Sequence, residues 1–327
     1  MSNVSEADEE GVMIEAGARR KKHSFGTDNI ELAILGLPVI IWFLLFAYIP
    51  MFGIIIAFKR YRPVGSNFFD SLFKSDWMGF DNFSFLFKTP DAFIIIRNTV
   101  LYNLVFIFTG VIVSVTLAIM ISQLHSTKLA KTCQTLMFLP HFLSWVVVGY
   151  FVFAFLSADK GLVNQMIKGM GQDPIQWYTQ EQYWPGLLVL VNIWKGMGYS
   201  MVVYLASITG IDESLYEAAS IDGATKWQQV RNITLPLLTP IITIMLILAV
   251  GRIFSSDFGL FYNVPRRSGP LYNVTQTIDV YVYNALTQQN NIGFAAAASV
   301  TQSIVGLFTI VGANFMVRKL NPESSLF

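Results

Sequence analysis

Six stretches, near residues 32–57, 99–123, 135–157, 185–211, 235–255 and 292–317, are each apolar for long enough to cross a bilayer as a helix. A crossing takes about 20 such residues. This feature limits the fold more than any other: the chain reads as an all-α membrane protein with six transmembrane helices, its membrane domain running over 30–320. Composition agrees, since 54% of the 327 residues are apolar and 13% charged, about half the charge of a soluble domain. Mean hydropathy is +0.51. A net charge of +1 offers nucleic acid or acidic substrates no bulk attraction. Cys133 has no second cysteine to pair with, and His23, His125 and His141 are scattered, so neither a disulfide framework nor a structural metal is expected.

Residues 1–29 are polar, first acidic (Glu6, Asp8, Glu9, Glu10) and then basic (Arg19, Arg20, Lys21, Lys22). No apolar leader core precedes the first span, so a retained, disordered tail is expected. Its basic cluster beside a span favours the cytoplasmic side. Six crossings return the C-terminal tail, 321–327, to that side, with Arg318-Lys319 in support. Loops 59–98, 158–184 and 256–290 would then lie outside; these loops carry about as many Lys and Arg as the inner segments, so charge supports this orientation without fixing it. In the first of these, Phe80, Phe83, Leu86 and Phe87 follow helical spacing and predict an interfacial amphipathic helix rather than a sugar-stacking platform. Pro38 and Pro50 interrupt the first span, which membranes tolerate only where freed backbone groups find other partners. Ala295 to Ala298, Ser299, Gly306, Gly312 and Ala313 permit close helix approach by the last span.

The sizeable polar connection on the inner side is 212–234. Ser214 and Glu217 have capping-box spacing, Asp222-Gly223 can stop that helix, and Thr225 and Gln228 repeat the box. A second helix would then run until Pro236. Leu215, Ala218 and Ala219 give the first helix a face of little bulk, suited to a groove in another protein.

Glu217-Ala218-Ala219, Asp222-Gly223-Ala224 and Ile233-Thr234-Leu235-Pro236 resemble the E-A-A…D-G-A…I-x-L-P signature of ABC-importer permease subunits. Val230 departs from it, standing where the family has a large aromatic residue. The resemblance extends over the chain after residue 30, through Tyr48-Ile49-Pro50-Met51 and Phe138-Leu139-Pro140-His141. In 256–290, Asp257-Phe258-Gly259-Leu260 and Ile278-Asp279-Val280-Tyr281 resemble the extended outer loop of polysaccharide and multiple-sugar permeases, which in that family faces the binding protein. The resemblance implies a type I ABC-importer permease fold with a cytoplasmic coupling helix, in the cytoplasmic membrane with both termini inside. It also implies that Leu215, Glu217, Ala218, Ala219, Asp222, Gly223 and Ala224 dock an ATPase. The implied partners are a second permease, two ATPase subunits, an extracytoplasmic solute-binding protein and a carbohydrate cargo, besides membrane lipid.

No reaction chemistry is visible. The chain lacks G-x-x-x-x-G-K-[ST], H-E-x-x-H and G-x-S-x-G, so ATP and Mg would be held by partner subunits. The informative polar groups lie within or near the spans: Asn192, Trp194, Lys195, Tyr199, Arg252 and Asp257 are the candidate substrate pathway, with Asn103, His141, Trp145 and Gln302 comparable elsewhere. A charge at mid-membrane costs about 2.5–3.5 kcal/mol, so Lys195 needs a partner or a watery cavity. For Lys195 and Arg252 a structural hydrogen-bonded role inside the bundle stands equally beside the pathway reading. The alternatives are an amino-acid or phosphate ABC permease, a secondary transporter, for which internal repeats are lacking, and a membrane enzyme, for which clustered carboxylates are lacking.

Overall fold

The computed structural model describes residues 27–62, 67–84 and 91–320, with side chains between 32 and 319. The tail's two charge clusters, Leu86 and Phe87 of the expected interfacial helix, and residues 321–327 lie outside the described residues. Packing divides the chain into one unit ending at Phe52 and a second from Gly53 onward. In the first, α1 (Thr27–Phe43) takes in residues 27–29 of the expected tail, then continues as a π turn (Leu44–Tyr48) and one more helical turn (Ile49–Met51). Its large apolar side chains are exposed on every side, the character of a membrane span rather than a core helix.

The second unit opens with a short antiparallel pair, β1 (Lys59–Arg60) and β2 (Asp76–Trp77), flanking α2 (Phe68–Lys74). Over its described residues the expected amphipathic helix is not formed. Phe80 and Phe83 sit at a tight turn, and with Trp77 they surround the Phe58 ring at 5.3–5.9 Å. Asn82 Nδ2 fixes that turn by donating to Ala57 O (2.9 Å) and Lys59 O (3.0 Å). Then follow α3 (Asp91–Ser122), α4 (Thr127–Phe138), α5 (Trp145–Leu156), α6 (Leu162–Gly169) and α7 (Trp184–Thr209). After them come α8 (Glu213–Ile221), α9 (Lys226–Gln229), α10 (Leu235–Val250), α11 (Phe258–Asn263), α12 (Tyr272–Thr275), α13 (Ile278–Gln288) and α14 (Ile292–Leu320). Among the described residues five helices are long and apolar enough to span a bilayer, and α4 with α5 forms a sixth, broken one.

The break corrects the straight span expected over 135–157. Pro140 sits in a 3-10 turn (Leu139–Phe142), Leu143 is extended, and the Ser144 hydroxyl caps α5 by accepting from Val147 N (3.3 Å). The two halves meet at 100°. At about 1.5 Å per residue α5 is only some 18 Å long, too short to cross alone.

Prolines elsewhere are passed rather than obeyed. Pro50 and Pro236 each follow a π turn, in which Ile49 N bonds back to Leu44 O and Leu235 N to Val230 O. A proline ring clashes with the carbonyl four residues earlier, and the extra residue of a π turn moves that carbonyl aside. Pro236 therefore does not end the second helix of the inner connection, and Lys226–Val250 is one span.

The 256–290 segment is not an extended loop. Leu260, Phe261, Val264, Leu271, Ile278 and Val280 are buried, mostly with Tyr102, Val148, Trp184 and Leu188 in one core. One edge of α3 holds it through backbone groups. Asn98 donates to Asn273 O and Gln276 O (2.9 Å each), Thr99 accepts from Ile278 N (3.0 Å), and Tyr102 donates to Val274 O (2.8 Å). Asn103, a polar residue the sequence set beside the pathway candidates, donates to Ile253 O (3.0 Å) and Ser255 O (2.8 Å).

Further along the membrane, Val115, Ala118, Met201, Tyr204 and Leu238 join α3, α7 and α10 in a second core. Gly198 lets α7 approach the end of α4: a Cβ there would lie 2.0 Å from Met137 O, whereas one at Gly196 would meet nothing within 4 Å. Gly198→Ala is thus expected to cost at least about 1–3 kcal/mol by overpacking and to lower the melting temperature of the purified protein. Gly196→Ala should leave it unchanged or raise it. Thermal unfolding of the two variants side by side checks this.

Candidate functional site

The inner elbow is built from local signals. Asp212, not Ser214, caps α8: its Oδ1 accepts from Ser214 N at 3.0 Å. A carboxylate is among the best N-caps, and two residues upstream it reaches the second free N–H of the helix, so the expected Ser214–Glu217 box is displaced. That hydrogen bond from Ser214 N holds the Asp212 carboxyl below its ordinary range. At the other end Gly223 takes φ +79°, Gly223 N bonds to Ser220 O (3.1 Å) and Ala224 N to Ala219 O (2.9 Å). These are the two bonds of a Schellman stop. Thr225 and Gln228 form the expected capping box, with Gln228 N to Thr225 Oγ1 at 3.3 Å and Thr225 N to Gln228 Oε1 at 2.7 Å.

Two side-chain bonds fold α8 back onto the next span. Gln229, buried, donates to Ser220 Oγ (2.8 Å), and the Tyr216 and Thr234 hydroxyls meet at 2.9 Å. Outward lie Leu215, Glu217, Ala218 and Asp222, all exposed, while Ala219 and Ala224 are half-buried. Two further members of this surface were not singled out by sequence: Ile221 is 87% exposed and Trp227 70%. Their signal was a large apolar residue beside each cap.

Within the membrane an open groove of about 1130 Å³ runs between α7, α10 and α14. Asn192, Arg252, Ser255, Ser299, Gln302 and Ser303 set polar groups into a wall otherwise built of apolar residues such as Met245, Leu248, Leu307 and Ile310. Gln302 is held from behind, its Nε2 donating to Phe254 O (3.1 Å) and to the Asp279 carboxylate (3.2 Å), which also accepts from Ser256 Oγ (2.8 Å). Asp279 and Ser256 thus support the wall, a role visible only once 256–290 is folded against α14. The Arg252 guanidinium makes no hydrogen bond or ion pair among the described residues.

The other pathway candidates lie elsewhere. Lys195 Nζ donates to His141 O (2.9 Å) and stands 5.1 Å over the Trp145 ring. Trp145 Nε1 donates to Asp257 Oδ2 (2.9 Å), whose Oδ1 caps α11 at Leu260 N (3.2 Å). Tyr199 stacks on His141 at 4.8 Å. Lys195, Tyr199 and Asp257 therefore stitch the broken span to α7 and α11, Asn192 and Arg252 line the groove, and Trp194 lines neither.

A profile of the family described as binding-protein-dependent transport system inner membrane component matches residues 110–322. The chain belongs to that family. Permeases similar to it include the polygalacturonan/rhamnogalacturonan transport system permease protein YteP of Bacillus subtilis (strain 168), 36% identical over 89% of each chain. Another is the arabinooligosaccharides transport system permease protein AraP of Halalkalibacterium halodurans, 28% identical over 86% of this chain and 85% of that one. Among solved structures, a chain of a bacterial ABC transporter involved in the import of the acidic polysaccharide alginate superposes with a TM-score of 0.80. It is 35% identical, covering 90% of this permease and 96% of the other. The same transporter type in complex with an alginate pentasaccharide-bound periplasmic protein gives a TM-score of 0.79 at 34% identity, over 90% and 95% of the two chains. The permease is thus an all-α inner-membrane component of an ABC importer that works with a solute-binding protein.

In this permease Lys195→Met removes one charged hydrogen bond and one cation–ring contact, worth roughly 1.5–3 and 0.5–2 kcal/mol. The expected outcome is a lower melting temperature with an unchanged KM for uptake. A raised KM at unchanged stability would place Lys195 on the substrate path instead.

Proposed function

We propose that this chain is one of two permease subunits of an importer that carries an oligosaccharide across the cytoplasmic membrane, powered by ATP hydrolysed on two partner ATPase subunits. The observation that carries this reading is the elbow: a capped helix with an exposed apolar face, bonded to the base of a span that lines a groove studded with polar groups. The named relatives transport oligosaccharides or polysaccharides, which favours a carbohydrate over an amino acid or phosphate. A secondary transporter would have no use for an exposed docking helix.

In this account α8 sits in the cytoplasm, both termini lie on the same side, and Leu215, Glu217, Ala218, Ile221 and Trp227 face the ATPase. ATP and Mg bind there, not on this chain. Closure of the ATPase dimer moves α8. The Tyr216–Thr234 and Ser220–Gln229 bonds pass that movement to α10, which carries Met245 and Leu248 in the groove wall and leads directly into the turn that bears Arg252. The groove opens alternately to each side, and the equilibrium shifts only as far as ATP and the loaded binding protein favour one state over the other. Asn192, Arg252 and Gln302 offer hydrogen bonds to cargo hydroxyls on the way.

Gly223→Val tests the coupling. A β-branched residue at φ +79° is strained by roughly 1–2 kcal/mol or more, and the Schellman stop that sets the angle between α8 and α9 is lost. In the reconstituted importer, ATP hydrolysis is expected to persist while uptake per ATP falls several-fold. Normal uptake per ATP would refute the docking role of the elbow.

A further inference from the structure

The link between α11 and the turn at Gly269–Leu271 contains a strained pair. Arg266 and Arg267 adopt φ of 54° and 56°, a region disfavoured for any residue with a Cβ. The surroundings enforce it. Val264, Pro265 and Leu271 are buried on either side, and the Ser268 hydroxyl donates to Tyr178 O at 2.6 Å. Glycines would make this turn without strain, so the turn alone does not account for two arginines.

Their side chains have an unusual environment. The Arg266 guanidinium lies 4.0 Å from the Phe153 ring centroid and 5.5 Å from that of Tyr150, and Arg267 lies 5.2 Å from Tyr262. Among the described residues neither makes a hydrogen bond from its guanidinium or pairs with a carboxylate, and the ion pair found there is Lys74–Asp70. An aromatic face attracts a guanidinium but leaves its in-plane N–H donors unused. The two arginines border a recess of about 190 Å³ with Gly149, Tyr150, Tyr262 and Asn263. Gly149 lets its floor close, since a Cβ there would stand 2.7 Å from Asn263 O.

We propose that this recess binds the carboxylate of a uronate unit in the oligosaccharide cargo, Arg266 and Arg267 gripping the carboxylate and the two tyrosines flanking the ring. The proposal rests on the reading of the chain as an oligosaccharide permease and narrows the cargo to an acidic one. A planar fork of N–H donors matches a carboxylate in two-point fashion. Well below the roughly 300–1,000 Å³ of a pocket for a whole small molecule, the recess suits one ring of a chain. Its concavity also favours a sugar over an acidic protein surface.

The test uses the complete importer with its binding protein in proteoliposomes. The probes are trimers of galacturonate and of mannuronate, and the same trimers reduced at the carboxyl to neutral sugars. R266Q/R267Q is expected to raise the half-saturating concentration of an acidic trimer by about tenfold or more, leave that of its neutral counterpart unchanged, and not reduce the amount of assembled complex. R266K/R267K should fall between, keeping the charge without the fork. Equal losses for acidic and neutral trimers, with weaker co-purification of the binding protein, would make the pair a protein-docking patch and overturn the proposal. Unchanged kinetics for both would overturn it as well. A wild-type importer that takes neutral trimers and rejects acidic ones contradicts the uronate site but leaves the sugar-permease reading standing. Transport of none of the four overturns both.

Discussion

In the proposed mechanism, the working of this permease depends on the joint between α8 and the base of α10. Alone, a nine-residue helix is marginal in water, and here it is fixed at both ends and along its inner side. Asp212 caps its start, the Gly223 turn closes its end, and Tyr216 and Ser220 bond to Thr234 and Gln229. With its polar backbone satisfied, the helix can leave Leu215 and Ile221 uncovered, a surface that gains from burial against a partner. A force applied there reaches the membrane through hydrogen bonds rather than through a slack loop.

The same economy of backbone bonding governs the spans. Hydrocarbon offers no partner to a freed N–H or C=O, so each interruption must be repaired locally. The π turns before Pro50 and Pro236 do this within the helix. At Leu143-Ser144 the chain turns by 100° and the repair comes from side chains: the Ser144 hydroxyl takes Val147 N and the Lys195 ammonium takes His141 O. That use of Lys195 accounts for a charge so deep in a span.

Much of this was legible in the sequence because its causes are local. Apolar run length placed the spans, and the Thr225–Gln228 spacing and Asp222-Gly223 gave the elbow. Where a local rule was misread, a stronger local competitor stood beside it, as with Asp212 against Ser214. Pro236 was misread because a π turn leaves no residue signature in Val230–Thr234. The 256–290 segment was opaque for another reason. Its shape is set by Asn98, Thr99 and Tyr102, over 170 positions away in the chain. The groove was half visible: Asn192 and Arg252 lie in it, while Lys195, Tyr199 and Asp257 share their polarity but bond to one another's neighbours.

In the proposed mechanism, movement of α8 resets the groove through two hydrogen bonds. In a Cys133→Ser background, Arg252→Cys places a thiol in the groove wall, and a membrane-impermeant thiol reagent added outside reports its access. Such coupling predicts that labelling in the assembled importer differs between the nucleotide-free and ATP-trapped states. It also predicts that Tyr216→Phe with Gln229→Leu abolishes the difference while ATPase subunits stay bound. The same nucleotide-dependent labelling in that double variant would contradict it.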